Sequence, residues 1–247
     1  MGKVIAVASG KGGTGKTTTV AAVSSCLAAL EKKTLCVDFD SEMKNLDLSL
    51  CMADYTVANY LDVISKQLDI HEACHESPLI SGLFFLAAPT MCSPDDIDSA
   101  GIKTMFDNIR EEFDYCLIDS PSGIGPGFRL VHSVADMSII VTTSELPAMR
   151  DAQLTAGAAR EAGVSDVRLI VNRLLPKNLK FMRTTIDDVI DTVCAQLIGV
   201  IPEDIAVFRA LHESIPLVLY KKRLSAYEFL DVARRITGEE VPLRLRR

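Results

Sequence analysis

The segment Ser9-Gly10-Lys11-Gly12-Gly13-Thr14-Gly15-Lys16-Thr17-Thr18-Thr19 holds the residue types best suited to gripping a phosphate. Gly10, Gly15, Lys16 and Thr17 satisfy the spacing Gly-x4-Gly-Lys-Ser/Thr. Glycines without Cβ let backbone N–H groups approach an anion closely, and the start of the following helix adds a favourable dipole. Lys16 would then lie over the β- and γ-phosphates of a nucleotide, while the Thr17 hydroxyl would ligate Mg²⁺. A glycine-rich strand-to-helix turn with one exposed lysine would share this spacing. The apolar run Val4-Ile5-Ala6-Val7-Ala8 before the loop and the helical pattern after it supply the context a phosphate loop needs.

Two other segments end in carboxylates. Thr34-Leu35-Cys36-Val37-Asp38-Phe39-Asp40 reads as a buried parallel strand whose last residues open at the ligand edge of a sheet, with separate jobs for Asp38 and Asp40. Tyr115-Cys116-Leu117-Ile118-Asp119 reads the same way, and Asp119 stands where a carboxylate meets the shell of a metal bound to phosphates. That strand runs into Ser120-Pro121-Ser122-Gly123, and Gly123, Gly125 and Gly127 suggest a loop free to move, restrained by Pro126. His71 and His75 stand four apart but have no third ligand in view, so they read as surface histidines.

The elements that must position these groups alternate along the chain. Helical spacing covers Thr17 to Leu30, Thr56 to Leu68, Asp95 to Phe113, Pro147 to Gly163 and Leu224 to Ile236. Short apolar runs cover Leu79 to Ala88, Met137 to Thr143, Val167 to Arg173 and Leu197 to Pro202. This pattern predicts an α/β fold, a doubly wound, mainly parallel sheet with helices on both faces. No linker or repeat divides it, so one domain is expected over residues 1–238, followed by a short basic tail at 239–247.

Composition narrows the function. A chain of 247 residues with 48% apolar and 24% charged residues can bury a substantial core. The net charge of −7 argues against a general nucleic-acid binder. No apolar run reaches the ~20 residues of a membrane span, and the N-terminus enters a strand without a signal layout, so a cytoplasmic location is expected. The seven cysteines never form Cys-x-x-Cys and lie mostly in apolar stretches, which reads as buried free thiols and not as a disulfide framework or zinc ribbon.

A second lysine early in the loop, Lys11 before Gly12-Gly13, resembles the deviant phosphate loop of the MinD/ParA family of P-loop ATPases. Asn45-Leu46-Asp47-Leu48, Asp119-Ser120-Pro121-Ser122-Gly123-Ile124 and Gly199-Val200-Ile201-Pro202-Glu203-Asp204 resemble its MinD branch. The resemblance implies ATP and Mg²⁺ as ligands, held by Gly10, Lys11, Gly12, Gly13, Thr14, Gly15, Lys16, Thr17 and Thr18. It implies that Thr17, Asp38 and Asp119 surround the metal and that Asp40 orients the attacking water. Lys11 would reach across a dimer interface to the partner's nucleotide, and a solvated loop lysine is the plain alternative. Asn172, with Arg173 beside it, would read the adenine edge, and the backbone of the turn Pro202-Glu203-Asp204 would pack around the purine.

The segment around Arg150 and Asp151 resembles the family's surface for dimerisation and a regulatory protein; ordinary first-turn charges fit those two residues equally well. Ser41-Glu42-Met43-Lys44 departs from the branch by lacking a glycine. Members of the branch commonly end in an amphipathic helix that lies on the membrane, whereas only five residues follow Pro242 here, too few for a helix that buries much apolar area. Leu243 and Leu245 alternate with arginines, which leaves open a weak basic contact at the inner face of the membrane. The expected function is an ATPase switch that dimerises on ATP to position cell-division machinery. A DNA-segregation or flagellar-placement ATPase is the alternative, with an iron–sulfur carrier or metabolic ligase behind it.

Overall fold

A computed structural model of the chain describes residues 1–40, 44–55, 58–90, 97–175, 185–220 and 224–243. The strands are β1 (Lys3–Ala8), β2 (Thr34–Asp38), β3 (His75–Glu76), β4 (Leu83–Leu86), β5 (Tyr115–Asp119), β6 (Met137–Thr142), β7 (Asp166–Leu174) and β8 (Gln196–Pro202). They form one sheet in the order β3-β4-β2-β5-β1-β6-β7-β8. All pairings are parallel except β3 with β4 at the edge. The α/β architecture expected from the alternating pattern is therefore present, with one short antiparallel edge added.

The central strands are apolar along their whole length because both faces are covered. In β1, Ile5 and Val7 point into one core with Val20, Val23 and Leu27 of helix α1 (Lys16–Ala29). Val4 and Ala6 point the other way, into a core with Phe106 and Ile109. Those two belong to a helix at Ser99–Glu112, the fifth in the chain after α2 (Leu46–Leu50), α3 (Tyr60–Ile64) and α4 (Ile70–Ala73), and hence α5. Beyond β1, α6 (Pro126–His132), α7 (Leu146–Glu161) and α8 (Ile186–Val193) cover Ile140, Leu169 and Val171. Ala152, Ala156 and Ala159 of α7 are almost fully buried there, and their small side chains let the helix lie close to the sheet. On the α1 side, α10 (Leu224–Ile236) packs Phe229 and Val232 into the first core, and α9 (Ile205–His212) precedes it.

Several boundaries move inward from the sequence expectations. Of the helix expected over Thr56 to Leu68, the described residues form α3, whose start is set by Asn59 accepting from the Leu61 N–H while Asp62 caps the Asn59 N–H in return; residues 56 and 57 lie outside the described residues. The helix expected from Asp95 starts at Ser99, where Asp98 accepts from Ala100 and Gly101 N–H groups; residues 91–96 lie outside the described residues, as do 41–43 of the loop that departs from the MinD branch. The glycine-rich segment after Asp119 is a loop only as far as Gly125. Pro126, whose missing N–H costs nothing in a first helical turn, opens α6, and Gly127 is buried inside that helix.

Candidate functional site

β1 ends between β5 and β6, and the chain turns through the glycine loop into α1 at the C-terminal edge of the sheet. Gly13 (φ +81°) and Gly15 (φ +93°) adopt left-handed backbone, which disfavours a side chain. Space also demands glycine at two positions: a Cβ on Gly10 would stand 2.5 Å from the Asp151 carbonyl oxygen, and one on Gly15 would stand 2.2 Å from Asn172 Nδ2. Gly12 meets neither restriction. Thr14 Oγ1 is buried in the loop with no hydrogen-bond partner among the described residues.

The charged centre forms where three elements meet. Parallel pairing sets Val7 of β1 beside Asp119 of β5, and Asp119 beside Asp38 of β2. From the first turn of α1, Lys16 Nζ donates to Asp119 Oδ1 at 2.6 Å, and Thr17 Oγ1 donates to Asp119 Oδ2 at 2.7 Å. Lys16 Nζ also lies 3.9 Å from Asp40 Oδ2. The Asp40 N–H donates to Asp38 Oδ1 at 2.9 Å. The sequence-predicted residues Lys16, Thr17, Asp38, Asp40 and Asp119 thus converge on one buried centre.

Burial and like charge govern its electrostatics. Asp38 is pushed up to about 7, first by burial and then by the neighbouring Asp119 carboxylate. Burial also raises Asp119, although the Lys16 charge and the hydrogen bonds from Lys16 and Thr17 pull against it. Asp119 therefore needs Lys16 as its counter-ion. Two carboxylates and a hydroxyl are hard oxygen donors of the kind Mg²⁺ takes beside waters and phosphate oxygens, so the donor set fits a magnesium nucleotide. The orphaned Thr14 hydroxyl and the cradle closed to a Cβ at Gly15 fit it too.

A cavity of about 320 Å³ opens beside the loop, lined by Gly13, Gly15, Thr18, Asn172, Arg173, Pro202, Glu203 and Asp204 among others. The residues expected around the base therefore gather in one place, next to the phosphate loop. Their side chains also make contacts within the protein. Asn172 Nδ2 donates to the Thr14 carbonyl at 2.8 Å, and Arg173 donates to the Gly13 carbonyl at 3.1 Å and to Glu203 at 2.8 Å. The Asp204 carboxylate faces protein: it accepts from the N–H groups of Ala206, Leu224 and Ser225 and from the Ser225 hydroxyl, tying α9 to α10. Burial alone would raise Asp204, but these bonds hold it below the ordinary carboxylate value.

Lys11 lies on the outer side of the loop, half-exposed, 3.9 Å from Glu145 at the start of α7. It lines a groove of about 640 Å³ with Gly12, Thr143, Arg173 and Glu203. Arg150 is exposed on the first turn of α7, while Asp151 is half-buried and its backbone presses on Gly10. Glu145 and this Asp151 contact escape sequence reading because each lies more than 130 residues from the loop it touches. His71 pairs with Glu112 at 3.3 Å, and His75 sits in β3, away from this edge.

Residues 2–160 match a family described as AAA domain. Over 244 residues the chain is 34% identical to the septum site-determining protein MinD of Synechocystis sp., covering 98% of this chain and 92% of that protein. Its structure is similar to a chain of the MinC:MinD cell division protein complex of Aquifex aeolicus, with a TM-score of 0.91, 32% identity and 98% of each chain covered. It is also similar to the septum site-determining protein MinD complexed with Mg-ADP from Pyrococcus horikoshii, with a TM-score of 0.82, 26% identity and 96% of each chain covered. With its glycine loop set beside paired carboxylates, and these likenesses along nearly its whole length, the chain belongs to the MinD family of P-loop ATPases.

Proposed function

We propose that the protein is a septum-site-determining ATPase that pairs with a second copy when ATP is bound and separates after hydrolysis. The observation that carries this reading is the buried contact of Lys16 and Thr17 with Asp119 directly beneath the glycine cradle. Bound Mg²⁺ would polarise the phosphate oxygens and neutralise the charge that develops on them. Thr17, Asp38 and Asp119 would hold that ion. Lys16, already buried and charged beside two carboxylates, would exchange part of its contact with them for the β- and γ-phosphates. Asp40, whose carboxylate lies 3.9 Å from Lys16 Nζ, would orient the attacking water.

The half-exposed position of Lys11 on the outer side of the loop supports a role across a subunit interface. A cation supplied in this way is worth about 10³–10⁵ in rate, or about 4–7 kcal/mol of barrier. The single domain expected over residues 1–238 and the base site at Asn172, Arg173 and the Pro202-Glu203-Asp204 turn belong to the same proposal. So does a regulatory protein partner at the exposed start of α7 near Arg150; the relative from Aquifex aeolicus, in complex with MinC, supports it. No helix among the described residues is long and apolar enough to cross a membrane. A peripheral contact at the inner face of the membrane belongs to the same proposal.

Phosphate release measured against protein concentration tests the proposal. The rate per chain should rise steeply with concentration in the native protein and stay flat and low in Lys11→Ala. A Lys11→Ala variant that matches the native protein at high concentration would remove the role across the interface.

A further inference from the structure

Asn172 and Arg173 are neighbours in β7, and a regular strand would send their side chains to opposite faces. Here both reach the phosphate loop. The pairing of β7 with β8 shifts register between Val171 and Leu174, and Arg173 takes a left-handed φ of +55°. This irregularity turns Arg173 toward the side Asn172 already faces. The two side chains then donate to consecutive loop carbonyls, Arg173 to Gly13 and Asn172 to Thr14.

In a trans peptide the C=O and the following N–H point in opposite directions. Holding the carbonyls of Gly13 and Thr14 toward β7 therefore turns the N–H groups of Thr14 and Gly15 away from it. We infer that Asn172 and Arg173 are positioning residues that preset the phosphate loop, in addition to any contact with the base. The inference rests on the nucleotide reading above. Gly15 is part of the device: without a Cβ it leaves room for the Asn172 amide, which any other residue would meet at 2.2 Å. Asn172 is only 5% exposed, so water cannot replace its hydrogen bond once the amide is gone.

A base-free ligand separates loop presetting from base reading. Calorimetric titrations would compare Mg²⁺·ATP with Mg²⁺·tripolyphosphate on the native chain, Asn172→Ala and Arg173→Ala, with unfolding midpoints checking that each variant is folded. Asn172→Ala should weaken both ligands by a similar factor, about tenfold or more. Arg173→Ala, removing a more exposed bond, should weaken both by a few-fold. A loss confined to ATP in both variants would overturn the inference and leave the nucleotide reading standing. Native protein that binds ATP but not tripolyphosphate would overturn it as well, since a preset loop grips phosphate without a base. Native protein that binds neither would bring down the nucleotide reading together with it.

Discussion

The two sides of the glycine loop solve different problems. On the β1–β2–β5 side, Lys16, Asp38 and Asp119 are each no more than 7% exposed, and charge is packed against charge. On the β7–β8 side, Arg173 and Glu203 form an ion pair whose side chains remain 54% and 41% exposed. A charge out of water interacts several-fold more strongly with its neighbours, and costs correspondingly more when left unpaired. The contrast teaches that the charges to which the proposed chemistry is assigned sit where desolvation has already been accepted at folding. The half-open side works through shape and backbone hydrogen bonds.

The largest effect expected is at the buried side. Lys16→Ala should lower ATP turnover by about 10³-fold or more, measured as phosphate release at saturating protein, because in the proposed mechanism the cation that faces Asp119 also faces the developing phosphate charge. Retained turnover within tenfold would break the comparison at once.

Asp204→Ala sharpens it from the other side. That carboxylate accepts four hydrogen bonds joining α9 to α10, so its loss should cost about 2–3 kcal/mol of unfolding free energy in a denaturant titration. Nucleotide affinity of the folded fraction should change little. A catalytic defect without a stability loss would show that Asp204 serves the site directly.

His132 offers a buried titratable group without a counter-ion among the described residues. Its Nδ1 donates to the Phe128 carbonyl, which can only accept, so Nε2 accepts from the Ser138 hydroxyl. Burial lowers its pKa from 6.5 to about 4. Between these values the unfolded chain binds the extra proton and the folded chain does not, so stability is fully present above pH 6.5 and falls as pH drops toward 4. The loss from this group between pH 7.5 and 5 should be about 2 kcal/mol, and unfolding of His132→Gln should lack that component. Identical pH slopes in the two proteins would contradict the neutral buried ring.

The smallest effect belongs to the exposed pair. Glu203→Gln should shift ATP affinity by less than about fivefold, in keeping with the modest worth of a solvated ion pair. A loss of a hundredfold by calorimetry would mean that the half-open side closes when nucleotide binds.

Much of this arrangement was legible in the sequence because its signals are local. The spacing of Gly10, Gly15, Lys16 and Thr17 and the apolar runs ending at Asp38 and Asp119 bring these groups to one sheet edge through parallel pairing alone. Three short helices could have been read from their caps, since Asn59 with Asp62, Asp69 with Glu72 and Thr185 with Asp188 each form a reciprocal capping box. The two-residue strand β3 has no periodicity to read. The turn of Arg173 toward the loop was illegible for a different reason: strand alternation predicts the opposite face, and only the slipped pairing with β8 overrides it. The role of the Asp204 carboxylate was also illegible, because it is committed to the starts of two helices, one of them twenty residues further along the chain.

Sedimentation velocity on Asp40→Ala tests the central claim most directly, because this variant keeps the Lys16–Asp119 contact while losing the residue assigned to the water. With Mg²⁺·ATP it should sediment as a dimer, and with Mg²⁺·ADP as a monomer. A single monomeric boundary in both nucleotides, on folded protein, would contradict the claim that the occupied phosphate cradle governs pairing.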